Sequence, residues 1–397
     1  MAFEITPNSN RLHIAIFGRR NAGKSSVINA LTGQEVSLVS DVLGTTTDPV
    51  FKPMEVHPIG PCVFIDTAGI DDVGNLGEMR IEKTRKVIDK TDVALLVFSD
   101  EDISYEKKWA DLLKKNNIPT VLVLNKIDEK SNYKELVHNI EKIYGKTPVC
   151  ISAKNKTNIS ELIKEIANNI PDDFEKDSIT GNLVKEDDVV LLVMPQDIQA
   201  PKGRLILPQV QTIRDLLDNK CMVLSVTTDK FVKSLSFLKK APDLIITDSQ
   251  VFDFVYKNKP EESRLTSFSV LFASYKGDID QYVKGALYIE KLSENSKVLI
   301  AESCTHKPLK EDIGRVKIPA MLRKKFGEKI KIDIKSGNDF PEDLSCYDLI
   351  IQCGGCMFNR KHILSRIEKA AAQNVPITNY GIFIAKINNI LDKIDLN

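Results

Sequence analysis

The sequence predicts an α/β protein of three parts, each a mainly parallel sheet flanked by helices, and three observations carry that prediction. Short apolar β-type runs alternate with segments of helical period from residue 11 to about 170, again from 189, and again from 298. A length of 397 residues suits two or three domains, each able to bury its own core. Between the first and second sets lies PDDFEKDSITGNLVKEDD, rich in charge and poor in large apolar residues, the composition of a boundary.

Composition narrows the class. Lys plus Arg and Asp plus Glu both number 55, so no net field draws in nucleic acid or an anionic membrane. The chain is 42% apolar and 28% charged, as in folded globular proteins. The longest apolar runs, Val93 to Phe98 and Val189 to Met194, fall far short of the ~20 residues that cross a bilayer. The start, MAFEITPNSNRLH, has neither the basic region nor the apolar stretch of a signal peptide. A cytoplasmic protein is expected, with no membrane and no nucleic acid among its partners. Seven cysteines are too few and odd in number for a disulfide framework, so in a reducing compartment a cluster of them points to metal or redox chemistry.

The first domain, 1–172, has strands predicted at Leu12 to Phe17, Cys62 to Ile65, Val93 to Phe98, Thr120 to Leu124 and Pro148 to Ile151. Between the first strand and the helical run SVINAL, the residues Gly18-Arg19-Arg20-Asn21-Ala22-Gly23-Lys24-Ser25, followed by Ser26, fit GxxxxGK[ST]. In that context the backbone amides and the helix N-terminus face phosphates, Lys24 reaches the β and γ groups, and the Ser25 hydroxyl binds Mg2+. Asp66-Thr67-Ala68-Gly69 follows the next strand, so Asp66 is placed to hold Mg2+ through water and the Gly69 amide to sense the γ-phosphate. Asn125-Lys126-Ile127-Asp128 follows another. Its Asp128 carboxylate can accept both the ring N–H and the exocyclic amine of guanine, a donor pair that adenine lacks, and this selects GTP. Ser152-Ala153-Lys154, after the last strand, lends a backbone N–H to guanine O6 and a Lys stem to the base.

A linker is predicted at 173–188, then a second domain, 189–272, with strands at Val189 to Met194, Met222 to Val226 and Leu244 to Thr247 and helices near 208–219, 229–239 and 249–257. The third domain, 273–397, has strands at Val298 to Ala301, Ile330 to Ile334, Asp348 to Gln352 and Val375 to Thr378. The prediction is thus a P-loop nucleotide-binding domain followed by two smaller α/β domains with mainly parallel sheets.

Cys304-Thr305-His306 and Cys353-Gly354-Gly355-Cys356 both come directly after strands of the third domain. In a parallel sheet those C-terminal ends share one edge, where ligands of open α/β folds gather. The two glycines let the chain turn tightly enough to aim both CxxC sulfurs at one centre, and a helix beginning near Asn359 turns its positive end toward the thiolates. Three cysteines with an exchangeable fourth position suit a 4Fe-4S cluster; with His306 as fourth ligand they also suit zinc. The residues alone leave both open. Cys62, Cys150, Cys221 and Cys346 read as core-filling thiols.

Residues 11–170 resemble a translation-factor-class GTPase of the group that includes the Era and TrmE families, on GRRNAGKSS, DTAG, NKID and SAK. The resemblance implies that Gly44-Thr45-Thr46-Thr47-Asp48 is switch I, with Thr46 completing the Mg2+ shell. Ras-like enzymes carry a water-orienting Gln after DTAG, where this chain has Ile70, so slow intrinsic hydrolysis is expected. Relatives with an apolar residue there and an Asn at the place of Asn21 use K+ beside the phosphates, which implies potassium-stimulated hydrolysis. Glu78 is a second candidate for positioning water.

Over nearly its whole length the chain is similar to the HydF family of FeFe-hydrogenase maturation GTPases, on GRRNAGKSS, DTAGIDD, NKID, ESCTHKP, EDIGRVKIP, IIQCGGCMFNR and VPITNYG. That family's pattern is Cys-x-His, a spacer, then His-Cys-x-x-Cys; Cys304, His306, Cys353 and Cys356 match it, and Gln352 replaces the second His. The fourth cluster position then falls to His306, an oxygen donor such as Glu302, or solvent. The resemblance implies a homodimer joined through the middle domain. It also implies a 4Fe-4S cluster that anchors a diiron precursor, radical-SAM maturases that supply its parts, and apo-FeFe-hydrogenase that receives it. GTP turnover is then expected to govern partner exchange through the switch loops around Thr46 and Asp66. Two rivals stay open on the residues: a zinc or nickel GTPase metallochaperone, and a ribosome or RNA-maturation GTPase, the latter disfavoured by zero net charge.

Overall fold

A computed structural model describes residues 6–33, 49–67, 84–130, 132–172, 174, 178–195, 205–303 and 312–396. The chain divides into two compact units, 1–175 and 176–397.

The first unit is built on a six-stranded sheet of order β2-β3-β1-β4-β5-β6. Its strands are β1 (Leu12–Phe17), β2 (Val50–Val56), β3 (Gly60–Asp66), β4 (Val93–Phe98), β5 (Thr120–Leu124) and β6 (Val149–Cys150). All neighbours pair in parallel except β2, which runs antiparallel to β3. β1 and β4 are buried at every position, because helices cover both faces of a parallel sheet. Successive side chains alternate between those faces. Ile14 and Ile16 meet Val27 and Ile28 of the helix Lys24–Thr32 and Leu162 and Ile166 of the helix Ile159–Asn168. Ala15 and Phe17 meet Trp109 and Leu113 of the helix Ser104–Lys115 and Leu136 and Ile140 of the helix Tyr133–Tyr144. Each fully buried Ile or Leu contributes about 1.5–3 kcal/mol.

The second unit holds two four-stranded, all-parallel sheets. One has the order β10-β9-β7-β8, from β7 (Val189–Val193), β8 (Met222–Val226), β9 (Leu244–Thr247) and β10 (Arg264–Ser267). The other has the order β12-β11-β13-β14, from β11 (Lys297–Glu302), β12 (Lys331–Ser336), β13 (Leu349–Gln352) and β14 (Ile377–Asn379). One core joins them, with Leu191, Val193 and Ile245 of the first sheet and Val298, Ile300 and Ile350 of the second in the same buried cluster. The helix Phe268–Lys276 spans the expected 272/273 boundary: Val270 and Ala273 enter the shared core, while Phe268, Leu271 and Phe272 cover the outer face of the first sheet. The helix Ile279–Leu287 presses on β14 so closely that a Cβ on Gly285 would collide with the Ile377 carbonyl.

Three features differ from the sequence expectation. β2 and β10 were not anticipated, because each is an edge strand of mixed polarity: VFKPMEV alternates and carries Pro53, and RLTS is short and polar. The described residues of the expected linker past 177 are docked rather than free. Ile179 and Leu183 are buried, and the Asp215 carboxylate accepts the Ile179 and Thr180 amides at 2.8 and 2.9 Å. Two apolar anchors within the eleven residues 178–188, most of them charged or polar, give no periodic signal. The predicted helix near 229–239 is one short turn, Phe231–Leu235, after a 3-10 turn at Thr228–Lys230. Among the described residues no helix is long and apolar enough to cross a membrane.

Candidate functional sites

In open α/β sheets ligands bind at the C-terminal strand ends where the strand order reverses. In the first sheet that point lies between β1 and β4, and in the third between β11 and β13. The predicted phosphate loop leaves the first, and the CxxC leaves the second.

Gly18 to Gly23 connects β1 to the helix that begins at Lys24. Gly23 adopts φ +85°, and a Cβ there would collide with the Asn125 amide. Lys24 is 8% exposed and folds back over the loop, its Nζ donating to the carbonyls of Gly18 at 3.0 Å and Arg19 at 2.9 Å. The Ser25 hydroxyl donates to Asp66 Oδ2 at 2.6 Å, so the two oxygen donors expected around Mg2+ meet across the helix start and the end of β3. Hard oxygen ligands of this kind fit Mg2+. The Thr67 hydroxyl donates to the Ile16 carbonyl at 2.6 Å and pins the turn after β3 to β1.

Asn125, 2% exposed, ties the base-reading segments to the phosphate loop. Its amide donates to the Ala22 carbonyl at 3.0 Å, and its carbonyl accepts the Ala153 amide at 3.1 Å. Lys126 sits in the left-handed region with φ 62° beside Glu129. Asp128 is exposed, and a hydrogen bond from Ser152 holds its carboxyl below the usual carboxylate range. Ser152 also accepts the Asn155 amide at 3.0 Å, while Lys154 is exposed. Gly18, Asn21, Ala22, Gly23, Lys24, Ser25, Ser26, Asp66, Asn125, Lys126, Asp128, Ser152, Ala153 and Lys154 therefore all belong to the loops at the C-terminal edge of the first sheet or to the helix turn that follows.

Motif reading did not find Glu106. This carboxylate, 1% exposed on the helix Ser104–Lys115, accepts the Arg19 amide at 3.3 Å and its Nε at 3.2 Å, anchoring the phosphate loop from outside. Nothing local marks it, because the contact spans 87 residues. Gly23→Ala is expected to weaken GTP binding at least tenfold, measured by titration with a fluorescent guanine nucleotide. The new methyl both strains a left-handed residue and displaces Asn125 from Ala22.

At the third sheet, Ala301 of β11 pairs with Gln352 of β13, and the Cys353 amide donates to the Ala301 carbonyl at 2.9 Å. Cys353 Sγ accepts the Ser303 amide at 3.0 Å, and its thiol donates to Ser303 Oγ at 3.1 Å. Burial pushes this thiol up, opposed by its bonds with Ser303 and the Gly355 amide. Gly355 takes φ +66°, where a Cβ would strike Ile363, so the turn between the two cysteines requires glycine. The helix Arg360–Ala372 follows, capped by the Asn359 side chain on the His362 amide.

Lys276 lies beneath this turn, 2% exposed, and donates to the Phe358 carbonyl at 2.8 Å and to those of Gly355 and Cys356 at 3.4 Å. Burial brings its ammonium down to about 8, against the sulfurs of Cys356 and Cys353, which raise it. Two thiols, a backbone donor to sulfur and a buried cation have the chemistry that suits an anionic thiolate site, although among the described residues no three His, Cys, Asp or Glu side chains come together.

One candidate for a fourth ligand is otherwise engaged. Glu302 Oε2 accepts Arg315 Nε and Nη2, both at 2.9 Å, and the Ser336 hydroxyl at 3.0 Å. Gln352 is fully buried, and its amide donates to the Tyr282 hydroxyl at 2.9 Å. Thr46, Gly69, Ile70, Glu78, Cys304 and His306 lie outside the described residues. Cys304 directly follows Ser303 in the chain. Cys62 and Cys221 are buried, as core-filling thiols should be, and Cys150 is half-buried; Cys346, expected in the same class, is instead exposed beside Lys297.

Comparison with known proteins adds family relationships. The profile described as Hydrogen maturase F dimerization domain matches 179–277, and Hydrogen maturase F tetramerization domain matches 280–394. A 50S ribosome-binding GTPase profile matches 13–126. GTPase Der of Wolinella succinogenes is 35% identical over 196 residues, 46% of this chain and 40% of that protein. The tRNA modification GTPase MnmE of Endomicrobium trichonymphae is 39% identical over 161 residues, 39% of this chain and 34% of that protein. The chain thus spans two fifths or less of the length of these two relatives. A solved structure of Era from Aquifex aeolicus aligns with a TM-score of 0.37 at 22% identity, over 54% of this chain and 92% of that one.

Proposed function

Because the chain belongs to the hydrogen maturase F family, we propose that it is a GTP-hydrolysing scaffold for hydrogenase maturation. In this reading Cys304, Cys353 and Cys356 bind a 4Fe-4S cluster on which a diiron precursor is assembled or carried to apo-FeFe-hydrogenase. The observation that carries it is Cys353 at the strand-order reversal of the third sheet, its sulfur bonded to the residue that precedes Cys304.

In the first unit the loop amides and Lys24 receive the β and γ phosphates. Ser25 and Asp66, with Thr46, hold Mg2+, which neutralises charge on the phosphates when bound. Asp128 accepts the two guanine donors, with Ser152 fixing its carboxylate and Lys154 against the base. Water attacks the γ-phosphorus, the bond to the β–γ bridging oxygen breaks, and GDP and phosphate leave. With Ile70 where Ras-like enzymes carry a Gln, turnover is slow, and Asn21 takes K+ beside the phosphates, so turnover is faster in potassium than in sodium.

In the second unit the cluster supplies an iron with an exchangeable position. Because Glu302 is held by Arg315, that position is left to His306 or solvent. The chain works as a homodimer, with radical-SAM maturases supplying the precursor, in the cytoplasm. Chain loaded with iron and exposed to those maturases is expected to activate apo-hydrogenase, and to do so without nucleic acid. Failure of the loaded chain to activate, where the apo chain performs equally, refutes the carrier role.

A further inference from the structure

Lys276 is the last residue of the helix Phe268–Lys276, and it is buried where three main-chain carbonyls of the segment from Gly355 to Phe358 converge. A lysine ammonium has three donors, so these carbonyls satisfy its hydrogen bonds. They do not neutralise its charge. Among the described residues no carboxylate pairs with it, and the groups that act on it electrostatically are the sulfurs of Cys356 and Cys353. An uncompensated buried cation is costly, and a fold keeps one where an anion is to be held. Arg366, also buried, acts on Cys353 from the helix Arg360–Ala372.

A 4Fe-4S core with three thiolates carries net negative charge, and one electron adds more. We propose that Lys276 is a positioning residue for the cluster, holding the Cys353–Cys356 turn through its carbonyls and supplying the buried positive charge that stabilises the reduced state. The inference rests on the cluster reading above and names what tunes that cluster. One-electron reduction, with dithionite as donor, then occurs at a higher potential than it does without the cation.

The test uses the full chain, reconstituted anaerobically with iron and sulfide, as wild type, Lys276→Gln and Lys276→Met. Iron content, thermal melting and an EPR-monitored redox titration are read for each. Gln keeps a donor for the carbonyls without the charge and Met keeps neither. Both variants are expected to favour the oxidised cluster at least tenfold at a given potential, a fall in midpoint of about 59 mV or more. Met is also expected to lose iron faster to a chelator. A Gln variant that loads iron and titrates at the wild-type midpoint overturns the proposal. Should Gln fail to load, recovery by Lys276→Arg supports the charge role, whereas equal failure of Arg and Gln with lowered melting assigns Lys276 to packing alone and overturns it. Wild type that takes up no cluster refutes the reading on which the inference rests, an outcome distinct from an unshifted variant.

Discussion

Lys24→Ala is expected to abolish GTP hydrolysis and leave iron binding untouched. The Lys24 ammonium lies inside the loop, against the carbonyls of Gly18 and Arg19, where it has little solvent to compete with a phosphate. Removing one such charge from a phosphoryl-transfer site costs about 10²–10³ in kcat, and the freed carbonyls then face the phosphates with like polarity. Iron binding survives because Lys24 belongs to the unit 1–175, whereas Cys353 and Cys356 belong to 176–397, which has its own core. Phosphate release and iron content, measured on one preparation, check both halves. Loss of iron in this variant contradicts the modular account.

Cys353→Ala is expected to do the reverse: most of the iron is lost and GTP turnover stays at the wild-type rate. Cys353 is fixed by the fold through both main chain and side chain, its amide bonded to Ala301 and its sulfur to Ser303. Alanine removes the ligand and leaves the Ser303 amide without its acceptor. A variant that keeps its full iron and the wild-type EPR signal removes Cys353 from the ligand set.

Much of this architecture is legible in the sequence, for a physical reason. Strands buried on both faces read as mostly apolar runs: β4 is unbroken, and β1 and β13 each carry one polar residue, His13 and Gln352. The edge strands β2 and β10 do not: β2 is largely solvent-facing and interrupted by Lys52 and Pro53, and β10, though buried, is four residues long with only one large apolar side chain. The phosphate loop is legible because its residues act together within eight positions of the chain. What holds the sites is not legible in the same way. Glu106 reaches Arg19 across 87 residues and Lys276 reaches Gly355 across 79, and single buried charges on amphipathic helices carry no local signature. Asn125 was found as part of a motif, but its role as the strut between Ala22 and Ala153 emerges only from the packed sheet.

A GTPase unit and a thiolate site for a 4Fe-4S cluster are proposed to share one chain. Anaerobic reconstitution of the wild type with iron and sulfide, followed by EPR of the dithionite-reduced protein, tests this most directly. About four irons per chain and a reducible cluster signal are expected. Stoichiometric zinc with no reducible signal would contradict the proposal.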